Sequence, residues 1–155
     1  MKLEEALSIA NEVYYRLRPH CAKIMIVGSI RRQKSEVKDI DIVLIPSNPG
    51  QLSHEIDHLG LPVLDGEKLR RVNYKGTQVD LYYALPQSWA TLLLIRTGSK
   101  ENNIRLCSRA RYLGMKLKAN GDGIIGKDGQ LIPIESEEQV YDILGLPYKE
   151  PWQRE

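Results

Sequence analysis

The chain has 155 residues, a formal net charge of +2 and a hydrophobic fraction of 42%. This length suits one domain or two very small ones, and the composition predicts a folded soluble protein and excludes an intrinsically disordered one. No apolar run approaches the roughly 20 residues of a membrane-spanning helix, so no membrane partner is expected. Two cysteines, Cys21 and Cys107, make no disulfide framework, and a reducing, cytoplasmic compartment is expected.

The small net charge averages two basic windows and an acidic remainder. Residues 16–38 and residues 96–118 each carry seven Lys or Arg and one Glu, which gives +6 for each window and −10 for the rest. Because like charges repel, such windows indicate a polyanion-binding surface if they meet in the fold. Two solvated helix faces are the alternative.

The first half of the chain predicts helices alternating with short strands. Apolar residues at helical spacing predict a helix over 3–17. Short apolar, β-branched runs predict strands over 22–27, 40–45 and 77–85. Between the last two strands, Gly and Pro bracket a short helix over 53–59.

The second half predicts three further helices and a hairpin. A compact apolar segment predicts a helix over 89–95, and Ser99 caps a helix that ends at 113. We expect Arg105 and Arg109 to lie on the outer face of this helix. The residues expected on its inner face are Ile104, Cys107, Ala110 and Leu113. Turn signals predict a hairpin of 124–125 with 131–132. Ser136 and Gln139 form a capping box that begins the last helix.

Three carboxylates stand in or beside two predicted strands. Asp39 and Asp41 are two residues apart at a strand start, so both point to one face about 6.6 Å apart. A divalent cation removes the repulsion of such a pair, whereas a turn or cap is the alternative explanation. Asp80 interrupts the next apolar strand. If the strands are neighbours, the three acids form a site for two metal ions about 3.5–4 Å apart, as used in phosphoryl transfer.

A small-residue turn with two arginines precedes these acids. Gly28, Ser29 and Arg32 lie in the segment that directly follows the first predicted strand. Glycine lets a phosphate approach the backbone, serine offers a hydroxyl and an N–H, and arginine can bind phosphate oxygens in pairs. An anion-binding turn and a metal site are therefore predicted at the ends of adjacent strands.

Taken together, five motifs resemble the palm and thumb of the family X DNA polymerases, the polymerase beta type. The motifs are Gly28-Ser29-x-Arg31-Arg32, Asp39-x-Asp41, Val79-Asp80-Leu81, Thr97-Gly98-Ser99-x-x-x-Asn103 and Leu146-Pro147-Tyr148-x-x-Pro151. The resemblance covers residues 3–154. It implies an α+β fold: a nucleotidyltransferase palm over 1–86, with helices packed on a mixed sheet, and a small α/β thumb over 87–155.

The resemblance also implies roles for individual residues. Asp39, Asp41 and Asp80 would bind two Mg²⁺ ions, for which Mn²⁺ can substitute, and Asp80 would help deprotonate the primer 3′-hydroxyl. The residues expected to contact the incoming nucleotide are Gly28, Ser29, Arg32, Lys38, Gly98, Ser99 and Asn103. The residues expected to contact DNA are Arg96, Lys100, Arg105 and Arg109.

Several positions depart from the family pattern. Ile95 and Arg96 stand where the family usually has the Tyr-Phe pair that screens the sugar 2′ position. Cys107 stands where an arginine often contacts the template strand, and Gln78 where an arginine commonly precedes the third carboxylate. Val37 and Lys38 replace the small pair before the first carboxylate. These departures bear on sugar selection and template dependence.

The expected function is a minimal, monomeric DNA polymerase that adds dNMP from dNTP to a DNA 3′-hydroxyl, for example at gaps during repair. One alternative is a nucleotidyltransferase of the same fold that needs no template or uses another acceptor. Another is a catalytically inactive module that binds DNA ends or nucleotides. The three carboxylates argue against the inactive module, because without a metal they would only repel one another.

Two other motifs are weaker. Residues 54–58 fit the H-E-x-x-H zinc signature, but their helix is short and no third ligand is evident, so solvated histidines are expected. Residues 121–127 approach a phosphate-binding P-loop, yet Asp128 stands where Ser or Thr must bind Mg²⁺.

Overall fold

The computed structural model describes residues 1–155, which form two compact units, Met1–Ala84 and Leu85–Glu155. Each unit has its own cluster of buried apolar side chains. None of the helices has the length and apolar character that crossing a membrane requires.

The first unit is a five-stranded mixed sheet with helices. Its helices are α1 (Leu3–Leu17), α2 (Gly28–Arg31) and α3 (Pro49–Asp57), and its strands are β1 (Cys21–Ile26), β2 (Ile40–Pro46), β3 (Leu61–Asp65), β4 (Leu69–Tyr74) and β5 (Thr77–Tyr83). The strand order is β1-β2-β5-β4-β3. Strands β2 and β5 are parallel, and the other pairs are antiparallel. This α+β architecture confirms the predicted fold class, and the parallel pairing of β2 with β5 meets the condition on which the carboxylate site depended.

The core of this unit lies on one face of the sheet. Side chains alternate along a strand, so one face of β2 and β5 presents a single apolar set: Ile40, Ile42, Leu44, Val79 and Leu81. The buried stripe of α1 and two residues of α3 belong to the same cluster: Ala6, Ala10, Val13, Leu17, Leu52 and Ile56. The residues between the apolar positions therefore point to the opposite face.

Helix α3 begins earlier than the predicted 53–59. Pro49 occupies its first turn, where no N–H is needed, and the Asn48 side chain accepts a hydrogen bond from Gln51 N at 3.1 Å. Asn48 and Pro49 are thus a helix start rather than a loop. His58 follows the last helical residue, and its Nδ1 lies 2.8 Å from the His54 carbonyl oxygen.

The second unit is built from three helices and one small strand pair. They are α4 (Trp89–Thr97), α5 (Lys100–Tyr112), β6 (Lys116–Leu117), β7 (Ile124–Ile125) and α6 (Glu137–Leu144). The predicted caps are confirmed, because Ser99 Oγ accepts from Asn102 N and Ser136 Oγ accepts from Gln139 N, each at 3.2 Å. In the second cap, Gln139 Oε1 accepts a hydrogen bond from Glu135 N, whereas a standard capping box would use Ser136 N.

Two predictions for the second unit are wrong in detail. Ile104 was expected inside α5, but it is 55% exposed, and the buried residues of α5 are Asn102, Leu106 and Ala110. Asn102 can be buried because its Nδ2 donates to the hydroxyl of Tyr141 at 3.1 Å. The predicted hairpin is confirmed in part: Leu131 forms an antiparallel bridge to Ile125 and Ile132 N donates to the Ile124 carbonyl at 2.9 Å, but the regular strand partner of Ile124–Ile125 is Lys116–Leu117.

A buried arginine, Arg154, makes several contacts at the end of the second unit. Arg154 is 0% exposed, and its Nη1 donates to Glu137 Oε2 at 2.7 Å. Its Nε donates to the Lys149 carbonyl at 2.9 Å, and its guanidinium lies over the rings of Tyr141 and Tyr148. The Arg154 carbonyl in turn accepts a bond from Ser99 N, which joins the chain end to the start of α5.

Candidate functional site

Three charged side chains lie in a row across adjacent strands of the first unit. Asp41 on β2 is in register with Asp80 on β5, and Asp80 is in register with Arg71 on β4. Registered residues on neighbouring strands share a face, and such strands lie about 4.8 Å apart. Asp41 and Asp80 alternate with the apolar core residues of their strands, so the row lies on the face opposite the core.

Asp80 is held by a forked ion pair. Arg71 donates from Nε to Asp80 Oδ1 at 2.7 Å and from Nη2 to Oδ2 at 3.2 Å. The carboxylate is only 4% exposed, so this paired contact takes the place of water. The hydrogen bond to Asp80 raises the pKa of Arg71, and the charge of Asp39 adds to that effect. Asp39 therefore lies within electrostatic range of the same guanidinium.

One hydroxyl contacts both carboxylates of the row. Tyr82, two residues beyond Asp80 on the same face, places its hydroxyl 3.3 Å from Asp80 Oδ2 and 3.5 Å from Asp41 Oδ1. Both carboxylates therefore reach the same hydroxyl, each with one oxygen. Gln78, on the same face in the other direction, places Nε2 3.4 Å from Asp80 Oδ1.

The predicted anion-binding turn lies against Asp41. Gly28 adopts a φ of +66°, and a Cβ added there would collide with Asp41 Oδ2, so only glycine suits the position. The neighbouring Val27 N donates to the Asp41 carbonyl at 2.8 Å. Ser29 and Arg32 continue this turn and are half-buried, whereas Lys38 is exposed. The structure thus joins Gly28 to the carboxylates, and phosphate contacts of Ser29, Arg32 and Lys38 stay predictions.

The donor set fits Mg²⁺ in part. Asp41 and Asp80 each place one carboxylate oxygen at the Tyr82 hydroxyl, and one or two protein carboxylates are what Mg²⁺ usually takes. Asp39 is half-buried and precedes Asp41 by two residues, but the structure gathers no three acidic, histidine or cysteine side chains into a metal-binding group. The pair is therefore observed, and the three-carboxylate site stays a prediction.

A groove in the second unit collects three of the predicted nucleotide and DNA contacts. It has a volume of about 560 Å³ and is lined by Ile95, Gly98, Lys100, Asn103, Ile104, Cys107, Ser108, Arg111 and Ala119. The exposed Ile104 found above thus lines a groove instead of the core. Burial raises the pKa of the Cys107 thiol, which keeps it protonated at neutral pH.

Several predicted ligand residues of this unit already serve its backbone. Ser99 caps α5, and Asn103 donates from Nδ2 to the Ile95 carbonyl at 2.8 Å. Asn103 Oδ1 is buried without a hydrogen bond. Arg109 donates from Nε to the Leu144 carbonyl at 2.8 Å, at the end of α6.

The other predicted DNA contacts differ in exposure. Arg105 contacts the carbonyl oxygen of Glu155, and Lys100 is exposed. Arg96 is half-buried, with an Nε atom that makes no hydrogen bond. Their predicted roles on DNA stay predictions.

Two features of the site were not predicted from the sequence: the pairing of Arg71 with Asp80, and the position of the Tyr82 hydroxyl at the carboxylates. The available signal was the alternation of β5, which puts Gln78, Asp80 and Tyr82 on one face. No local signal marks Arg71, because its partner lies on another strand. The H-E-x-x-H segment brings the rings of His54 and His58 to 4.3 Å, but the structure adds no third ligand to them.

Comparisons with known proteins agree with this architecture. The family model for the DNA polymerase beta thumb matches residues 92–155, within the second unit. Over 97% of its length the chain is 28% identical to the DNA polymerase/3'-5' exonuclease PolX of Bacillus subtilis (strain 168). These matches confirm the resemblance to the family X DNA polymerases that the sequence motifs indicated. The chain is also 26% identical over 100% of its length to DNA polymerase lambda of Rattus norvegicus.

A solved structure shares the fold of this chain. The crystal structure of Leishmania infantum polymerase beta in a ternary P/T complex matches with a TM-score of 0.85 at 22% identity, covering 100% of this chain and 76% of that one. The chain spans 28% of the length of the Bacillus family X relative and 33% of the rat relative.

Proposed function

We propose that this chain is a nucleotidyltransferase that adds dNMP from dNTP to a DNA 3′-hydroxyl, with gap filling or repair as its setting. The observation that carries the proposal is the pair of Asp41 and Asp80, which are in register on adjacent strands, contact one Tyr82 hydroxyl and lie beside the Gly28 turn.

The proposed cofactor is a pair of Mg²⁺ ions, with Mn²⁺ as a substitute. Asp41 and Asp80 would hold them through their carboxylate oxygens, and Asp39 would supply the third carboxylate. Bound Mg²⁺ would neutralise charge on the phosphates and lower the pKa of the attacking hydroxyl.

The protein residues have distinct roles in the proposed reaction. The primer 3′-oxygen forms a bond to the α-phosphorus while the bond between the α-phosphorus and the bridging oxygen breaks, and pyrophosphate leaves. The hydroxyl proton passes to the Asp80 carboxylate. Ser29 and Arg32, with Lys38 beside them, bind the β- and γ-phosphates, because hydroxyl, guanidinium and ammonium groups all donate to phosphate oxygens.

The second unit would contact the nucleotide and DNA. We assign Gly98, Ser99 and Asn103 to the incoming nucleotide, and to the DNA backbone we assign Arg96, Lys100, Arg105 and Arg109. The thumb match over residues 92–155 supports our assignment of 87–155 as a thumb, and we assign 1–86 as a palm. The second basic window then provides electrostatic attraction for phosphates.

A primer-extension experiment tests the proposal. A labelled primer alone, a primer–template and a gapped duplex are each incubated with single dNTPs or NTPs and with Mg²⁺ or Mn²⁺. We expect extension that follows the template base, with dNTP and on the templated substrates. Addition to the primer alone would support a template-independent transferase. A folded protein that extends none of these substrates would contradict the proposed polymerase.

A further inference from the structure

Asp80 stands between a like charge and an opposite charge. Strands β2 and β4 flank β5, so Asp41 lies on one side of Asp80 and Arg71 on the other. Repulsion from Asp41 pushes the Asp80 carboxylate in the direction in which Arg71 attracts it. The two interactions together define where this carboxylate rests.

The forked contact also sets the rotation of the carboxylate. Arg71 Nε donates to Oδ1 at 2.7 Å and Nη2 donates to Oδ2 at 3.2 Å, and in this orientation Oδ2 is the oxygen that also lies 3.3 Å from the Tyr82 hydroxyl. A guanidinium binds a carboxylate through two parallel bonds, and a lysine ammonium acts only as a point charge. The geometry therefore needs an arginine and not merely a positive charge.

We propose that Arg71 is a positioning residue that fixes the rotation of the Asp80 carboxylate and keeps Oδ2 at the Tyr82 hydroxyl, which Asp41 also contacts, as the metal-binding pair requires. The role is exerted from a different strand, through a cross-strand pair nine residues apart in sequence. Arg71 and Asp41 lie on the two strands that flank β5, so a cation held by both carboxylates would bind Asp80 from the β2 side. The inference rests on the proposed metal site and is independent of polymerase activity.

Direct binding of Mn²⁺ alone to the full chain tests this role, with free Mn²⁺ followed by electron paramagnetic resonance. The variants are Arg71→Lys, which keeps the charge and loses the fork, and Arg71→Gln, which loses both. We expect each to bind Mn²⁺ about tenfold more weakly, the scale seen when a residue that orients a metal ligand is removed. The weakening in Arg71→Gln is diagnostic, because loss of a positive charge alone would strengthen cation binding.

Arg16→Gln is the matched control. This variant removes a positive charge from the same unit and also breaks the ion pair between Arg16 and Glu55. It should leave the Mn²⁺ affinity unchanged. In an Asp80→Asn background, Arg71→Lys should cause no further loss, since the oriented carboxylate is already gone. For any variant that is less stable, the rise in melting temperature caused by Mn²⁺ should rank the Mn²⁺ affinities in the same order.

The outcomes separate this inference from the proposed function. If Arg71→Lys binds as the wild type does while Arg71→Gln binds more tightly, Arg71 is only a nearby charge and the inference is overturned. If the wild type binds no Mn²⁺, both the inference and the metal site are overturned. If the expected pattern appears but no primer is extended, the inference stands and the polymerase proposal does not.

Discussion

The two units use their polar side chains differently. In the first unit, the groups at the site bond to one another, as Arg71, Tyr82 and Asp80 do. In the second unit, Ser99, Asn103 and Arg109 bond instead to backbone atoms of their own unit. Side-chain pairs such as Glu137 with Arg154 also hold the fold, so what distinguishes the first unit is that two carboxylates, Asp41 and Asp80, lie in register on adjacent strands. The first unit therefore carries the stronger functional evidence.

The largest expected effect is on the carboxylate pair. Asp41→Asn keeps the size of the side chain and an oxygen toward Tyr82, but it removes the charge that would bind the cation. We expect primer extension to fall about 10³-fold, or about 4 kcal/mol in activation free energy, measured by single-turnover kinetics. The exposed Glu67→Gln should extend primers normally. Near-normal activity of folded Asp41→Asn would remove Asp41 from the mechanism.

The next effect tests the scaffold of the second unit. Arg154→Met leaves Glu137 buried without its cation, and breaking a buried pair costs about 3 kcal/mol or more. Urea unfolding should report this loss, with Glu137→Gln similarly destabilised and the exposed neighbour Glu138→Gln within about 0.5 kcal/mol of wild type. Unchanged stability in Arg154→Met would mean that the tyrosine rings alone hold this region.

Two glycines separate backbone strain from steric collision at the site. Gly28 and Gly76 both have positive φ, but an added Cβ meets Asp41 at Gly28 and nothing within 4 Å at Gly76. Each Ala variant should lose about 1–2 kcal/mol of folding stability. Only Gly28→Ala should also weaken Mn²⁺ binding, about tenfold, because it displaces a ligand. Equal Mn²⁺ affinities in the two variants would show that the turn does not position Asp41.

The smallest effect decides whether Asn103 does more than hold the backbone. Asn103→Ala loses the bond to the Ile95 carbonyl and should cost about 1 kcal/mol in thermal or urea unfolding. If it also contacts the nucleotide, the KM for dNTP should rise about fivefold, as one lost hydrogen bond allows. Ser108→Ala, in the same groove, should change neither value. A stability loss with an unchanged KM would confine Asn103 to a structural role.

Sequence patterns predicted the elements whose burial is regular. The stripe of α1, the apolar strands β2 and β5 and the Ser99 and Ser136 caps all follow from local spacing. Strand β4 was not predicted, because the charged Arg70 occupies one of its inward positions, where Arg70 is buried and pairs with Asp57 at 2.6 Å. Strand β3 was not predicted either, because all five of its residues are exposed and its sequence therefore lacks an alternation of buried and exposed residues.

The inner face of α5 shows the same limit. Spacing favoured Ile104 over Asn102, because apolar side chains are usually the buried ones. The Tyr141 hydroxyl reverses this choice by satisfying the Asn102 amide, and Tyr141 lies 39 residues away. No window of local sequence contains both partners.

The family resemblance implied the mixed sheet, whereas residue types and their order alone predicted the apolar strands β2 and β5, the acids in or beside them, and the glycine turn. These features depend on periodicity and backbone sterics, which act over a few residues. Only the tertiary structure decided that Arg71 forks onto Asp80 and that Tyr82 joins Asp80 to Asp41. Both contacts depend on strand register, which is settled by the packing of whole strands and leaves no mark on the residues it brings together.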